Sequence, residues 1–229
     1  MKNPLVFGAM TVITATAAQA ATLLAWEVNN VTESAATLTA GTIAAGISGT
    51  ASSGVLSRGA GAAPPGNAAS NSYGASGFDA TSLANALTAH DYFTFSIAPT
   101  SGNQMTLTNI AYNLLATTNG ATGGALFSSI GGFATTALAI STFSISGGNT
   151  NDNSIPLGAL FQNVSAPVEF RVYFFGGQSS SIDKVRFRDL SGADLTITGI
   201  VAPEPSVLMS VVLGFGVLAG FRRRRCSST

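Results

Sequence analysis

Along residues 168–175, Val168, Phe170, Val172 and Phe174 alternate with Glu169, Arg171, Tyr173 and Phe175. No helix gathers every second residue on one side. In a strand, successive side chains point to opposite faces with period two. The same rhythm returns at Phe93, Phe95 and Ile97 against Tyr92, Thr94 and Ser96, at Val185 and Phe187 against Lys184, Arg186 and Arg188, and at Leu195 and Ile197 against Thr196 and Thr198. Each run needs a second layer to cover its apolar face, so the middle of the chain must be built from sheets.

Further strands are predicted over Leu23–Asn29, Thr37–Ala44, Met105–Leu115 and Ala137–Ile145. In the last two the alternation changes phase, near Asn109-Ile110 and near Ser141-Thr142, as a bulge or a strand switching sheets would produce. Turn-forming clusters separate the runs: Pro99-Thr100-Ser101-Gly102, Thr117-Thr118-Asn119-Gly120, Gly147-Gly148-Asn149 and Gly176-Gly177-Gln178. Ser82–Ala89 suits one short helix. The expected fold is all-β, an antiparallel β-sandwich over residues 21–201 and specifically a jelly roll. Residues 46–78, rich in Gly, Ala and Ser and carrying Pro64-Pro65, read as a loop excursion.

Both ends read as addresses. Lys2, an apolar stretch from Leu5 to Ala15 and the small-x-small triplet Ala18-Gln19-Ala20 form a signal-peptide pattern over residues 1–20, with Ala21 first after cleavage by signal peptidase. At the other end, residues 202–229 hold Pro203-Glu204-Pro205, then sixteen uncharged residues from Ser206 to Phe221, then Arg222, Arg223, Arg224 and Arg225. Sixteen helical residues reach ~24 Å, a short span for a ~30 Å hydrocarbon core. By the positive-inside rule the four arginines stay in the cytoplasm, which puts the preceding domain outside. This order of parts resembles the PEP-CTERM sorting domain of exported Gram-negative proteins. The resemblance implies a transmembrane sorting helix recognised at Pro-Glu-Pro by an exosortase-type membrane protease, in bacteria that make exopolysaccharide. It also implies a protein held at the cell envelope before processing, and at the cell surface or outside it afterwards.

The middle of the chain is similar to a β-module found in bacterial proteins with this tail. The segments that carry the likeness are Leu56-Ser57-Arg58-Gly59, Tyr92-Phe93-Thr94-Phe95, Ser128-Ser129-Ile130-Gly131-Gly132-Phe133 and Val168-Glu169-Phe170-Arg171-Val172-Tyr173. Related modules often carry Asp where Gly131 stands. The likeness implies a sandwich and an extracytoplasmic location, with no activity attached.

Charge and residue inventory narrow the chemistry. Residues 21–200 hold five cations and nine carboxylates, a net −4 that argues against nucleic acid as a partner. Cys226 lies beyond the apolar tail, so the sandwich must hold by packing without a disulfide. His90 is the lone histidine, and its neighbour Asp91 would point to the other side of a strand, poorly placed to orient it as a catalytic base. Nothing in the spacing of the carboxylates selects a glycosidase pair. Asn149-Thr150-Asn151-Asp152-Asn153 offers oxygens to Ca²⁺, but only one is a carboxylate and an Asn-rich turn explains it better. No metal and no cofactor is expected.

Lys184, Arg186 and Arg188 form the domain's basic stripe. It is either a surface for an acidic polysaccharide or a lipopolysaccharide phosphate, or a solvated face paired with Glu169 or Asp residues on neighbouring strands. Trp26, in an apolar run, is expected in the core. The expected function is that of a non-catalytic surface or extracellular-matrix protein. The alternative is a carbohydrate-binding jelly-roll module holding exopolysaccharide, and a glycan-active enzyme is the distant third.

Overall fold

The computed structural model describes residues 19–50, 53–179 and 181–204. The signal-peptide stretch up to Ala18, Pro205, the apolar tail and Arg222 to Arg225 lie outside the described residues. The chain forms β1 (Ala21–Trp26), β2 (Leu38–Thr39), β3 (Thr42–Ile43), β4 (Val55–Arg58), β5 (Ser72–Ser76), α1 (Leu83–Ala89), β6 (Tyr92–Ile97), β7 (Asn103–Ala116), β8 (Gly123–Ser128), β9 (Ser141–Ser144), β10 (Thr150–Pro156), β11 (Val168–Phe175), β12 (Lys184–Arg188) and β13 (Leu195–Pro203).

These strands make two antiparallel sheets. Sheet I runs β3-β1-β13-β7-β12-β5, with β10 also on β7, and sheet II runs β2-β4-β6-β11-β8-β9. On β7, β10 takes one edge from Asn109 to Leu115, while β13 and then β12 share the other. β12 and β13 are therefore collinear, interrupted by an excursion over residues 189–194.

The alternating residues meet between the sheets. Phe93, Phe95, Phe170, Val172 and Phe174 of sheet II are buried against Trp26, Tyr112, Val185, Phe187, Leu195 and Ile197 of sheet I. Ring contacts cross the interface: Trp26 to Phe95 at 5.7 Å and Phe93 to Phe187 at 5.3 Å between centroids. The indole N–H of Trp26 donates to the Gly54 carbonyl at 3.1 Å, so the one polar atom of this core ring is satisfied. The all-β, two-sheet expectation holds, and so does the helix, whose Ser82 side chain caps the Asn85 N–H and whose C-cap His90 sits at φ 63°.

The phase change near Asn109 is a bulge. The partners of β13 jump from Thr198↔Asn109 to Gly199↔Leu107, leaving Thr108 unpaired and swapping the buried set from Met105 and Leu107 to Ile110, Tyr112 and Leu114. The one near Ser141 is different. A 3₁₀ turn at Thr136–Leu138 precedes β9, so the Ala137–Ile145 strand begins only at Ser141. Thr37–Ala44 is likewise two short strands, β2 and β3, one in each sheet.

Two expectations are overturned. Residues 46–78 are no simple excursion, because β4 lies between β2 and β6 and β5 pairs along the whole of β12. All five residues of β5 are buried. A small residue at its centre makes this possible through close approach: a Cβ on Gly74 would lie 2.6 Å from the Arg186 Cβ and 2.9 Å from the Val185 carbonyl oxygen. The Asn-rich segment is also mostly strand. Thr150 to Pro156 pair with Leu115 to Asn109, and only Asn149 remains in the turn, where its side chain donates to Ser146.

Candidate functional site

Of the four segments in which a likeness to other β-modules was expected, three fall on β4, β6 and β11, adjacent strands of sheet II, and the fourth starts at Ser128, the end of β8, and runs into the turn that follows. Their outward residues build a polar face. Thr94 donates to Glu169 Oε1 at 3.0 Å, and Arg171 Nε donates to the same oxygen at 2.7 Å. The Arg171 guanidinium lies between two rings, 4.6 Å from the Tyr92 centroid and 4.0 Å from that of Phe133. Phe133 and α1 cover one end of the face, packing on Ala125, Phe127 and Tyr173. The other end is an open groove of about 460 Å³ whose walls include Ser57, Thr94, Ser96, Ser129 and Glu169. Hydroxyls and one carboxylate can exchange hydrogen bonds with a polar ligand, but a single carboxylate does not make an acid–base pair. The aromatic faces here are already occupied by Arg171.

A second cluster lies at the corner of β5 and β12 and divides the predicted basic stripe. Lys184 is only 7% exposed. Its Nζ donates to Glu33 Oε2 at 2.6 Å and to the Asn67 carbonyl, so it is a buried ion-pair partner and no part of a surface. Its partner is neither Glu169 nor an Asp, since Glu169 pairs with Arg171 on the other sheet. Glu33, in the β1–β2 loop, is fully buried; Oε2 also accepts from the Ala69 N–H at 2.8 Å, and Oε1 has no hydrogen-bond partner. Gly74 makes room for this carboxylate, because a Cβ there would lie 2.7 Å from Glu33 Oε1 and 2.6 Å from the Arg186 Cβ. Arg58 donates to the carbonyls of Gly74, Ala35 and Glu33 and stacks over Tyr73 at 4.5 Å. Arg186 and Arg188 remain half-buried and exposed, beside a pocket of about 230 Å³ formed with Ser70, Asn71 and Asp189.

Glu27, Asp189 and Asp194 come together where β1 meets the excursion between β12 and β13, each offering a carboxylate oxygen within 4.8 Å of the others. Asp194 is buried, and its two oxygens accept the N–H groups of Val28 and Leu190. Burial, with Asp189 beside it, raises its carboxyl above the ordinary range, and those N–H groups offset part of the rise. Glu27 is also raised, by burial and then by Asp194 and Asp189. No sequence pattern singled out this trio. Neighbouring residues of one collinear strand enclose it only because residues 189–194 fold back on Trp26 and Val28.

His90 is exposed and Asp91 buried; neither lies in a strand, since His90 caps α1 in the left-handed conformation and β6 begins at Tyr92. Asp91 is 2% exposed, Oδ2 has no partner, and burial followed by the nearby Asp79 pushes its carboxyl up to about 6. No nucleophile–base–acid constellation forms around either residue among the described contacts.

At the domain's ends, Ala21 opens β1 and pairs with Gly199, while Pro203 closes β13 opposite Asn103. The Glu204 N–H donates to the Gly102 carbonyl at 2.9 Å. Ala20 is exposed just before the first strand. No family model matches this sequence, and no curated protein matches it. Among the described residues no helix is long and apolar enough to cross a membrane.

Proposed function

We propose that this chain is an exported, non-catalytic surface or extracellular-matrix protein. In this reading signal peptidase cuts after Ala20, the apolar tail holds the chain in the membrane, and an exosortase-type protease acts at Pro203-Glu204-Pro205 while Arg222 to Arg225 stay inside. The observation that carries it is where the described strands begin and end. The first strand starts at Ala21 and the last ends at Pro203, so the sheet spans the interval between the two expected processing points. The first and last described strands also pair with each other, β1 on β13, so the two expected processing points lie at the ends of neighbouring strands.

The domain is best read as a jelly roll. Eight principal strands pair in nested fashion, β1 with β13, β6 with β11, β7 with β10 and β8 with β9, as a long hairpin rolled into two sheets would. Intact-mass analysis of the protein from its native cells tests the export reading. A mature chain beginning at Ala21 and lacking everything after the Pro-Glu-Pro segment supports it; a chain that still ends at Thr229 overturns the sorting step.

A second reading, a carbohydrate-binding module, is favoured by the hydroxyl-lined groove on sheet II. Glycan-active chemistry has less support, because Glu169 stands as the groove's one carboxylate.

A further inference from the structure

Four of the five cations in residues 21–200 gather at one corner of an otherwise acidic domain: Arg58, Lys184, Arg186 and Arg188. Two are consumed by the fold. Arg58 is held by three backbone carbonyls, and Lys184 by Glu33 and the Asn67 carbonyl. The other two are not. Arg186, with its side chain 22% exposed, comes no nearer to a carboxylate than 3.8 Å from Glu33 Oε1, and Arg188 is exposed and in no ion pair among the described residues.

Residues two apart on a strand project from the same face, so both guanidiniums stand over the same part of sheet I. Each is a planar fork of N–H donors matched to a carboxylate. Opposite Arg186 the strand carries Gly74, and opposite Arg188 the buried Ser72, so no large side chain from β5 covers the pair. The pocket beside them is walled by Ser70, Asn71 and Asp189, all polar.

We propose that this pocket binds the carboxylate of an acidic sugar, taken by Arg186 and Arg188, with Ser70, Asn71 and Asp189 meeting the sugar hydroxyls. About 230 Å³ is smaller than the ~300–1,000 Å³ of a drug-sized site and fits one ring of a longer chain. The walls choose the class. An apolar peptide or lipid tail finds almost no apolar contact there. Asp189 accepts a hydrogen bond from a sugar hydroxyl but repels a dianion, which favours a carboxylate over a phosphate. The inference deepens the exported-protein reading by naming what the displayed domain meets, yet its binding test does not depend on export or processing.

The test uses the full chain in detergent, titrated calorimetrically at fixed ionic strength with an oligogalacturonate and with a neutral galactose oligomer of equal length. The uronate should bind and the neutral oligomer should not. Arg186→Gln with Arg188→Gln should weaken uronate binding by at least about tenfold, the loss expected for charge-assisted hydrogen bonds. Arg188→Gln alone, at an exposed position that cannot unsettle the fold, should already weaken it by about threefold or more. Arg171→Gln, and a chain with Arg222 to Arg225 replaced by Ser, should bind like the parent. Five results would each overturn the proposal: no uronate binding, equal binding of the neutral oligomer, equal binding of inorganic phosphate, unchanged affinity in the Arg188→Gln variant, or loss of binding on replacing the terminal arginines.

Discussion

Lys184→Met is the sharpest probe of the buried charge at the β5–β12 corner. Methionine keeps an apolar stem of similar length and removes the ammonium, leaving Glu33 Oε2 with the Ala69 N–H and Oε1 with Arg186 at 3.8 Å as its nearest cation. Breaking a buried ion pair from one side costs ~3–5 kcal/mol because the remaining charge stays desolvated. The nearby Arg186 argues for the lower end, about 3 kcal/mol. With a urea slope of ~2 kcal/mol/M, that lowers the unfolding midpoint by about 1.5 M. Trp26 is the one tryptophan and is fully buried, so its fluorescence reports the loss of the core directly. Glu33→Gln combined with Lys184→Met removes both charges and should recover a large part of the loss. Arg188→Met, exposed on the same strand, should change stability by no more than ~0.5 kcal/mol. If Lys184→Met and Arg188→Met unfold at the same urea concentration, Glu33 does not depend on Lys184 and the account of this corner is wrong.

Phe170 is fully buried and stacks on Phe95 at 5.6 Å and Phe161 at 5.8 Å, so Phe170→Ala should cost ~3–5 kcal/mol in urea unfolding. Thr196→Ala, half-buried on the other face of β13 with only a 3.5 Å contact to the Ala111 carbonyl, should cost far less; equal losses would mean the faces are misassigned. Asp91 predicts the pH dependence. Its carboxyl is raised in the folded state to about 6, so the stability it contributes is complete below the unfolded value near 4 and is lost as pH rises through 6. At one unit per 1.36 kcal/mol, that loss is up to about 3 kcal/mol between pH 4 and 7. Asp91→Asn should flatten this fall, and parallel stability–pH curves for parent and variant would refute the assignment.

What could be read from residues alone was set by how each strand is buried. β6, β11 and β12 each show large apolar residues to one face, and their alternation is visible. Even the bulge at Thr108 left its mark as a change of phase. β5 reads Ser-Tyr-Gly-Ala-Ser, because it is covered on both sides and its neighbours approach too closely for larger residues. Such a strand has the composition of a loop. β10 failed for a different reason: as an outer strand of β7 it buries only Ile155, so its Asn and Ser residues give no apolar rhythm. The corner chemistry was legible only as a stripe of cations. That Lys184 is an internal partner follows from Glu33, 151 residues away in sequence and held in a loop with no local signature.

The junction between domain and tail constrains how the two work together. Pro203 is still paired with Asn103, and Glu204 is tied to the Gly102 carbonyl, so no free linker separates the sheet from the Pro-Glu-Pro motif. The β6–β7 turn, Pro99 to Gly102, therefore lies beside the last described residue of the chain. That turn carries no charge, and the Asp and Glu residues that give the domain its net −4 lie elsewhere. A protease acting at Pro-Glu-Pro must then accept the motif beside a folded sheet or first release the end of β13. Gly102, at φ 77°, takes the left-handed turn conformation from which its carbonyl accepts the Glu204 N–H. Pro203 and Glu204 thus end the described chain at the β6–β7 turn, while the rest of β13 stays paired along β7 and β1.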